Sequence, residues 1–211
     1  MKILKFKIYI LSILSGVCAF NADLAVATGV GSSAQLELQF IFNGTGGADL
    51  NTLKSILQNN KKFIVGTVKA LIKDEFGGFY IAGDFILEKA NESFYVAHVS
   101  KDGIINKNFS VKPDNRVNAL LLKKNTLFLG GQFSSINGVE RQRLAAVNLD
   151  TGSLTELQVS INEEVQALAF SHRDNVLYFG GKFTSVDGIQ RQKFAALDLQ
   201  NSMISPLSIH V

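Results

Sequence analysis

Leu127-Phe128-Leu129-Gly130-Gly131-Gln132-Phe133 is the stretch that decides the fold, because it recurs. Fifty residues later the chain reads Leu177-Tyr178-Phe179-Gly180-Gly181-Lys182-Phe183, and 48 residues earlier Phe79-Tyr80-Ile81-Ala82-Gly83-Asp84-Phe85. A period of about 50 residues is the mark of stacked or radial repeats. The neighbourhood recurs too. Val68-Lys69-Ala70-Leu71, Val117-Asn118-Ala119-Leu120 and Val165-Gln166-Ala167-Leu168 open the three copies. A polar turn separates each opening from its glycine stretch.

Beyond the glycines, Asn137-Gly138 and Asp187-Gly188 suit the positive φ angles of tight hairpin turns. A third apolar run follows: Leu144 to Leu149, matched by Phe194 to Leu199 and, aligned on Phe94, by Phe94 to Val99. A last turn leads to a short fourth segment such as Ser153-Leu154-Thr155-Glu156-Leu157. The sequence therefore predicts an all-β fold with four short antiparallel strands per repeat. Four strands in a unit of this length match a β-propeller blade.

These residues carry a resemblance. V-x-A-L, G-G-x-F, an N-G or D-G turn and an R-x-R/K section before A-A resemble the blades of secreted β-propeller repeat proteins, mostly bacterial and of unassigned function. Kelch-like blades of fungal cell-surface polarity proteins are similar. The resemblance covers about residues 63–211. It departs in the first copy, where Ala82-Gly83 stands for Gly-Gly and Leu87-Glu88-Lys89-Ala90-Asn91 replaces the turn and arginine section. It implies a fold and an exported location, and it transfers no catalytic residue.

The organisation expected is a signal peptide over 1–19, a partial N-terminal blade with a helical or irregular insert over 20–62, and repeats over about 63–114, 115–162 and 163–211. Lys2, Lys5 and Lys7 precede an apolar core, Ile8 to Val17, too short to span a bilayer. Val17-Cys18-Ala19 offers small residues for cleavage after Ala19, with lipid anchoring through Cys18 as the alternative. Cys18 is the only cysteine of the chain, so the mature protein would hold no disulfide and no thiolate metal site. Within 20–62, Ala34 to Phe42 alternates as a strand does. Leu50, Leu53, Ile56 and Leu57 would share one helix face. A rival alignment sets Leu50 to Leu53 against Leu154 to Leu157.

Composition narrows function. Of the 211 residues, 46% are hydrophobic and only 18% charged, which suits a packed core. The net charge of +3 comes from the three leader lysines; 21 basic residues less those three leave 18, against 18 acidic ones. The leader thus accounts for the sequence pI near 8.9. A chain so balanced, without a basic stripe, gives no sign of nucleic-acid binding. No integral membrane span is expected once the leader is removed.

No phosphate-binding glycine motif is present. His98, His172 and His210 fall in unrelated contexts, so neither a catalytic residue nor a metal or cofactor site is expected. Gly83, Gly130, Gly131, Gly180 and Gly181 are read as points of close backbone approach, and Phe85, Phe133 and Phe183 as core anchors. Arg141 and Arg191 recur 50 residues apart, which argues for a structural bond to an acid or carbonyl in each unit. Asp84, Gln132 and Lys182 share the polar position after the glycines and are candidates for lining a central channel. Three Asn-x-Ser/Thr triplets (at Asn43, Asn91 and Asn108) matter only in a eukaryotic source.

The function expected is an exported non-enzymatic module that binds a protein or a cell-surface ligand, located outside the cell, in the periplasm or on the surface. A propeller hydrolase or lyase and a gene fragment without independent role are the alternatives. Three blades fall short of the roughly 4–8 of a closed propeller. An open arc with two uncovered faces is therefore expected, prone to self-association or completed by further blades.

Overall fold

The computed structural model describes residues 9–13, 17–21, 38–40, 52, 55–56, 64–87, 93–171 and 175–205. It is all-β, and nearly all strand pairing is antiparallel. Three sheets carry the recurring stretches of sequence. The first holds Leu38–Phe40 (β3), Ile64–Lys73 (β4), Phe79–Leu87 (β5) and Ser93–Val99 (β6), in the order β3-β4-β5-β6. The second holds Val117–Lys123 (β7), Thr126–Gly131 (β8) and Leu144–Asn148 (β11). The third holds Val165–Ser171 (β12), Val176–Gly181 (β13), Phe194–Asp198 (β16) and Met203–Ile204 (β17). Among the described residues the sheets do not close into a ring.

The expected four antiparallel strands per unit appear only in the third sheet. In the second, the fourth segment meets its sheet through the single bridge Val147 to Leu154 and the bond from Thr155 N to Ala146 O. In the first, Ile105 bridges Val99, and the fourth strand is instead β3, which joins the opposite edge parallel to β4. The rest of the expected strand Ala34 to Phe42, and most of the expected helix over 49–59, lie outside the described residues.

Register corrects one alignment. Phe79 pairs with Val99, Leu127 with Val147 and Leu177 with Leu197. Val99 is therefore the counterpart of Val147, not of Leu149, and His98 stands where the other sheets carry Ala146 and Ala196. The aromatic Phe94-Tyr95 pair misleads the eye by two residues.

Between second and third strands, two units insert a small hairpin: Ser135–Ile136 (β9) with Val139–Glu140 (β10), and Ser185–Val186 (β14) with Ile189–Gln190 (β15). Their two-residue loops have positive φ at both positions, 53° and 76° at Asn137-Gly138 and 49° and 76° at Asp187-Gly188. These are the angles a right-twisted hairpin needs. A further hairpin, Tyr9–Ile13 (β1) with Val17–Asn21 (β2), forms its own two-stranded sheet and spans the cleavage point expected after Ala19.

The sheets pack face to face through alternate residues. Ala70, Tyr80, Ala82 and Val96 of the first meet Val117, Leu127, Leu129, Phe133 and Val147 of the second. Phe128, Leu144 and Ala146 of the second meet Val165, Leu177, Phe179, Phe183 and Leu197 of the third. Each fully buried Phe or Leu contributes roughly 1.5–3 kcal/mol. The opening strands β4, β7 and β12 lie in succession. The two outer faces differ, contrary to the expectation that both are uncovered. In the first sheet Phe79, Ile81, Phe85 and Val99 are fully buried, with Ile56 against them. In the third, Ala167, Tyr178 and Phe194 are only partly buried.

Candidate functional site

The second glycine of each repeat pairs with the opening valine: Gly83 with Val68, Gly131 with Val117, Gly181 with Val165. A Cβ at Gly131 would collide with the Arg116 carbonyl oxygen, and one at Gly181 with that of Glu164. This approach carries the next residue, Asp84, Gln132 or Lys182, to the start of the opening strands. There Gln132 N donates to Arg116 O and Lys182 N to Glu164 O, both backbone bonds.

The side chains at these positions make two adjoining polar clusters, which meet through the backbone bond from Gln132 N to Arg116 O. Arg116 approaches Asp84 at 3.9 Å. Gln132 Nε2 donates to Glu164 Oε2 at 2.6 Å, and Lys182 Nζ lies 2.7 Å from Glu164 Oε1. Thus Asp84 and Gln132 each reach the residue that precedes the opening valine of the following unit. A second row runs along the opening strands themselves. Lys69 Nζ donates to Asn118 Oδ1 at 2.8 Å, and Asn118 Nδ2 donates to Val165 O at 3.0 Å and to Glu164 Oε2 at 3.4 Å. Gln166 Nε2 completes the shell around Glu164 at 2.9 Å.

Burial grades this network from inside to outside. Asn118 and Glu164 are buried at 5% and 6% exposure. Arg116 and Asp84 are about half exposed, and the Lys182 side chain is 67% exposed. Burial acts to raise the Glu164 pKa, but the Lys182 ammonium and the bonds from Gln132 and Asn118 outweigh it and hold the carboxyl below its ordinary value. The same contact raises Lys182. Lys69 is lowered, first by burial and then by the Arg116 charge, with Glu164 and Asp84 opposing. Four donors surround the Glu164 carboxylate, which occupies its acceptor sites and leaves it no role as a free base. The exposed guanidinium and ammonium keep donors for an outside acceptor.

The remaining sequence candidates sit elsewhere. Arg141 donates to Glu140 O at 2.7 Å and Thr155 O at 3.1 Å; Arg191 donates to Gln190 O at 2.8 Å and Ser205 O at 3.1 Å. Each ties its hairpin to the fourth segment. Phe85, Phe133 and Phe183 are fully buried. His172 and His210 lie outside the described residues, and His98 lies at the other end of the opening strands. Among the described residues, no group of three His, Cys, Asp or Glu is placed to hold a metal ion, and no helix is long and apolar enough to cross a membrane.

Sequence reasoning named Asp84, Gln132 and Lys182 but missed Glu164, Arg116, Lys69 and Asn118. The signal was there. Thr67, Arg116 and Glu164 precede the opening valines, and Lys69, Asn118 and Gln166 are the x of V-x-A-L. Identity varies at these positions while the frame around them repeats. A comparison with protein-family models finds no match, and neither does one with curated proteins.

Proposed function

We propose that the chain is an exported, non-enzymatic binding module built of β-propeller blades, whose partner is a protein or a cell-surface ligand. One observation carries it: equivalent positions of three packed sheets contribute to two adjoining polar clusters, the Asp84–Arg116 pair and the shell of Glu164, which expose Arg116, Asp84 and Lys182. Mixed charges at a fixed spacing favour recognition of a partner with complementary polar groups. The saturated shell of Glu164 supports binding over catalysis. The lysine-led N-terminal segment supports export, and loss of residues 1–19 on export would remove β1 and most of β2. The partly covered outer face of the third sheet gives self-association a place in the same reading.

The test is capture of envelope components by the purified mature chain, against a variant carrying Asp84→Lys, Arg116→Glu and Lys182→Glu. These sites are exposed, so the variant is expected to fold, and to lose the captured partner. Equal capture by both proteins would overturn the assignment of the surface. Turnover of ester, glycoside or polyuronate substrates that disappears in Glu164→Gln would overturn the non-enzymatic reading. Mass spectrometry is expected to give an N-terminus near Phe20, and an intact Met1 in the cytosol would refute export.

A further inference from the structure

A cleft of about 800 Å³ opens between the first two sheets, at the opposite end of the opening strands from the polar network. Its walls are the β4–β5 turn, the loop around Asn106 to Ser110, the β7–β8 turn and the turn at Asp150 to Gly152. This volume is in the range of small-molecule sites.

One wall is rigid. Asp74 Oδ1 accepts from Phe76 N at 2.8 Å and Gly78 N at 2.6 Å, while Asp74 Oδ2 lies 2.7 Å from His98 Nε2. Asn106 Nδ2 donates to His98 Nδ1 at 3.2 Å, which leaves Nε2–H to donate to Asp74. Tyr80 stacks on the His98 ring at 4.5 Å, and Phe109 leans on Tyr80 at 5.3 Å. Both imidazole nitrogens are engaged, so this is a fixed wall and not a catalytic pair. It belongs to one unit only, since the other sheets carry alanine in place of His98.

The opposite wall holds an unmet donor. Asn125 Nδ2 is buried without a hydrogen-bond partner. At the next junction Lys123 Nζ crosses to donate to Oδ1 of the counterpart Asn175 and lies over the Phe170 ring at 3.8 Å, so that junction is spanned by a side chain. Register places Asp74, not a lysine, where the second sheet carries Lys123; Asp74 is held by Phe76 N, Gly78 N and His98, and the first junction stays open. A buried amide left unpaired is destabilising, and an acceptor brought by a ligand would relieve it.

We propose that this cleft binds a short neutral saccharide, with a hydroxyl accepting from Asn125 Nδ2 and a sugar face against Phe76. Phe76 projects from the rim at 84% exposure. Asn106, Asn108, Thr151 and Asp150 supply the further mixed donors and acceptors that a ring of hydroxyls needs. Carboxylates of Asp74, Glu75 and Asp150 against the single ammonium of Lys124 disfavour phosphate, sulfate or nucleotide. Tyr80 and Phe109 are inclined at 52°, so a flat heteroaromatic ring has no parallel slot between them. The inference rests on the binding-module reading and narrows its ligand class.

Calorimetric titration of the mature chain with cellotriose, chitotriose and mannotriose, and with anionic sialyllactose, tests it. At least one neutral trisaccharide is expected to bind, and sialyllactose more weakly. Asn125→Ala and Phe76→Ala are each expected to weaken binding about tenfold, the loss of roughly one buried hydrogen bond or contact. Asn175→Ala, at the occupied junction, is expected to leave it unchanged. Absence of heat with all three neutral probes, tighter binding of sialyllactose, or indifference to Asn125→Ala and Phe76→Ala would overturn the proposal. If the probes fail while capture through Arg116, Asp84 and Lys182 persists, this inference alone falls.

Discussion

Gly130 and Gly180 hold the same place in two sheets, and their surroundings are not the same. Gly130 pairs with Ala119 and Leu144, Gly180 with Ala167 and Phe194. A Cβ on Gly130 would stand 2.6 Å from Val165 Cγ1 of the following sheet. On Gly180 the nearest atom would be Lys193 O at 3.4 Å. The difference extends to their neighbours on the same face: Ala119, Phe128 and Leu144 are buried, while Ala167, Tyr178 and Phe194 are not fully so. One local sequence thus has two energetic meanings, fixed by whether another sheet covers it. The first sheet offers a third case, since Ala82 occupies the equivalent position, fully buried against the second.

The glycines give the largest expected effects and the sharpest way to break this comparison. Gly131→Val and Gly181→Val drive a side chain into the carbonyl of their own opening strand. Both are expected to lose about 3 kcal/mol in urea melts, and equally, because neither clash depends on the next sheet. Gly130→Val is expected to lose about 2–3 kcal/mol from overpacking against Val165, and Gly180→Val less than about 0.5 kcal/mol. Equal losses at Gly130 and Gly180 would show that the third sheet's face is covered in solution, and concentration dependence of the melt would show whether by another copy.

Arg116 and Glu164 extend the comparison to the polar end. They are equivalent, each preceding an opening valine, and carry opposite charge at different depth. Glu164→Ala strands the Gln132 amide and takes one of two acceptors from Asn118 Nδ2, and is expected to lose about 1–3 kcal/mol. Arg116→Ala breaks only a half-exposed contact at 3.9 Å and is expected to lose less than about 1 kcal/mol. Glu164 also sets a pH dependence. Its folded pKa lies below the ordinary 4.5, so its contribution is complete above that value and is lost as pH falls through the folded pKa. Glu164→Gln is expected to flatten acid unfolding in that window, and an unchanged profile would remove the network from the account.

The repeat was legible because its frame is made of residues with one physical use each. Glycines that meet a backbone carbonyl, Asn-Gly and Asp-Gly turns, and a phenylalanine buried in every unit leave a periodic trace. The strand count per unit was less legible: Leu154 and Ile105 look like strand residues, yet single bridges hold them, since pairing at an edge depends on length and cover that a five-residue window does not show. The polar network was half legible. Asp84, Gln132 and Lys182 share a visible slot, but their partners lie 32 residues on, in two of the three cases, or 18 residues back, as the bonds Asp84–Arg116, Gln132–Glu164 and Lys182–Glu164 record. Only the stacking of sheets brings those positions together. The Asp74–His98 wall was hidden by the two-residue slip in the alignment, which paired His98 with Asn148 in place of Ala146.

The smallest expected effect separates charge from geometry within the repeat. Asp114 Oδ1 accepts from Ser134 N at 2.7 Å and Ser135 N at 3.1 Å; Asn162 Oδ1 accepts from Thr184 N and Ser185 N, both at 3.0 Å. Carboxylate and amide hold the same hairpin in the same way. Burial acts to raise the Asp114 pKa, but the Ser135 and Ser134 N–H groups outweigh it and hold the carboxyl below its ordinary 3.8. Its charge-dependent contribution is therefore present above pH 3.8 and lost as pH falls through the folded pKa. Asp114→Asn keeps the acceptor oxygen and gives up the charge. It is expected to change stability at neutral pH by no more than about 0.5 kcal/mol, and to remove only the share of acid sensitivity that Asp114 carries. Asp114→Ala strips the acceptor from two N–H groups at an exposed loop and is expected to lose about 1 kcal/mol at neutral pH. If Asp114→Asn costs as much as Asp114→Ala, charge and not the shared geometry holds the second unit's hairpin, and Asn162 is not its equal.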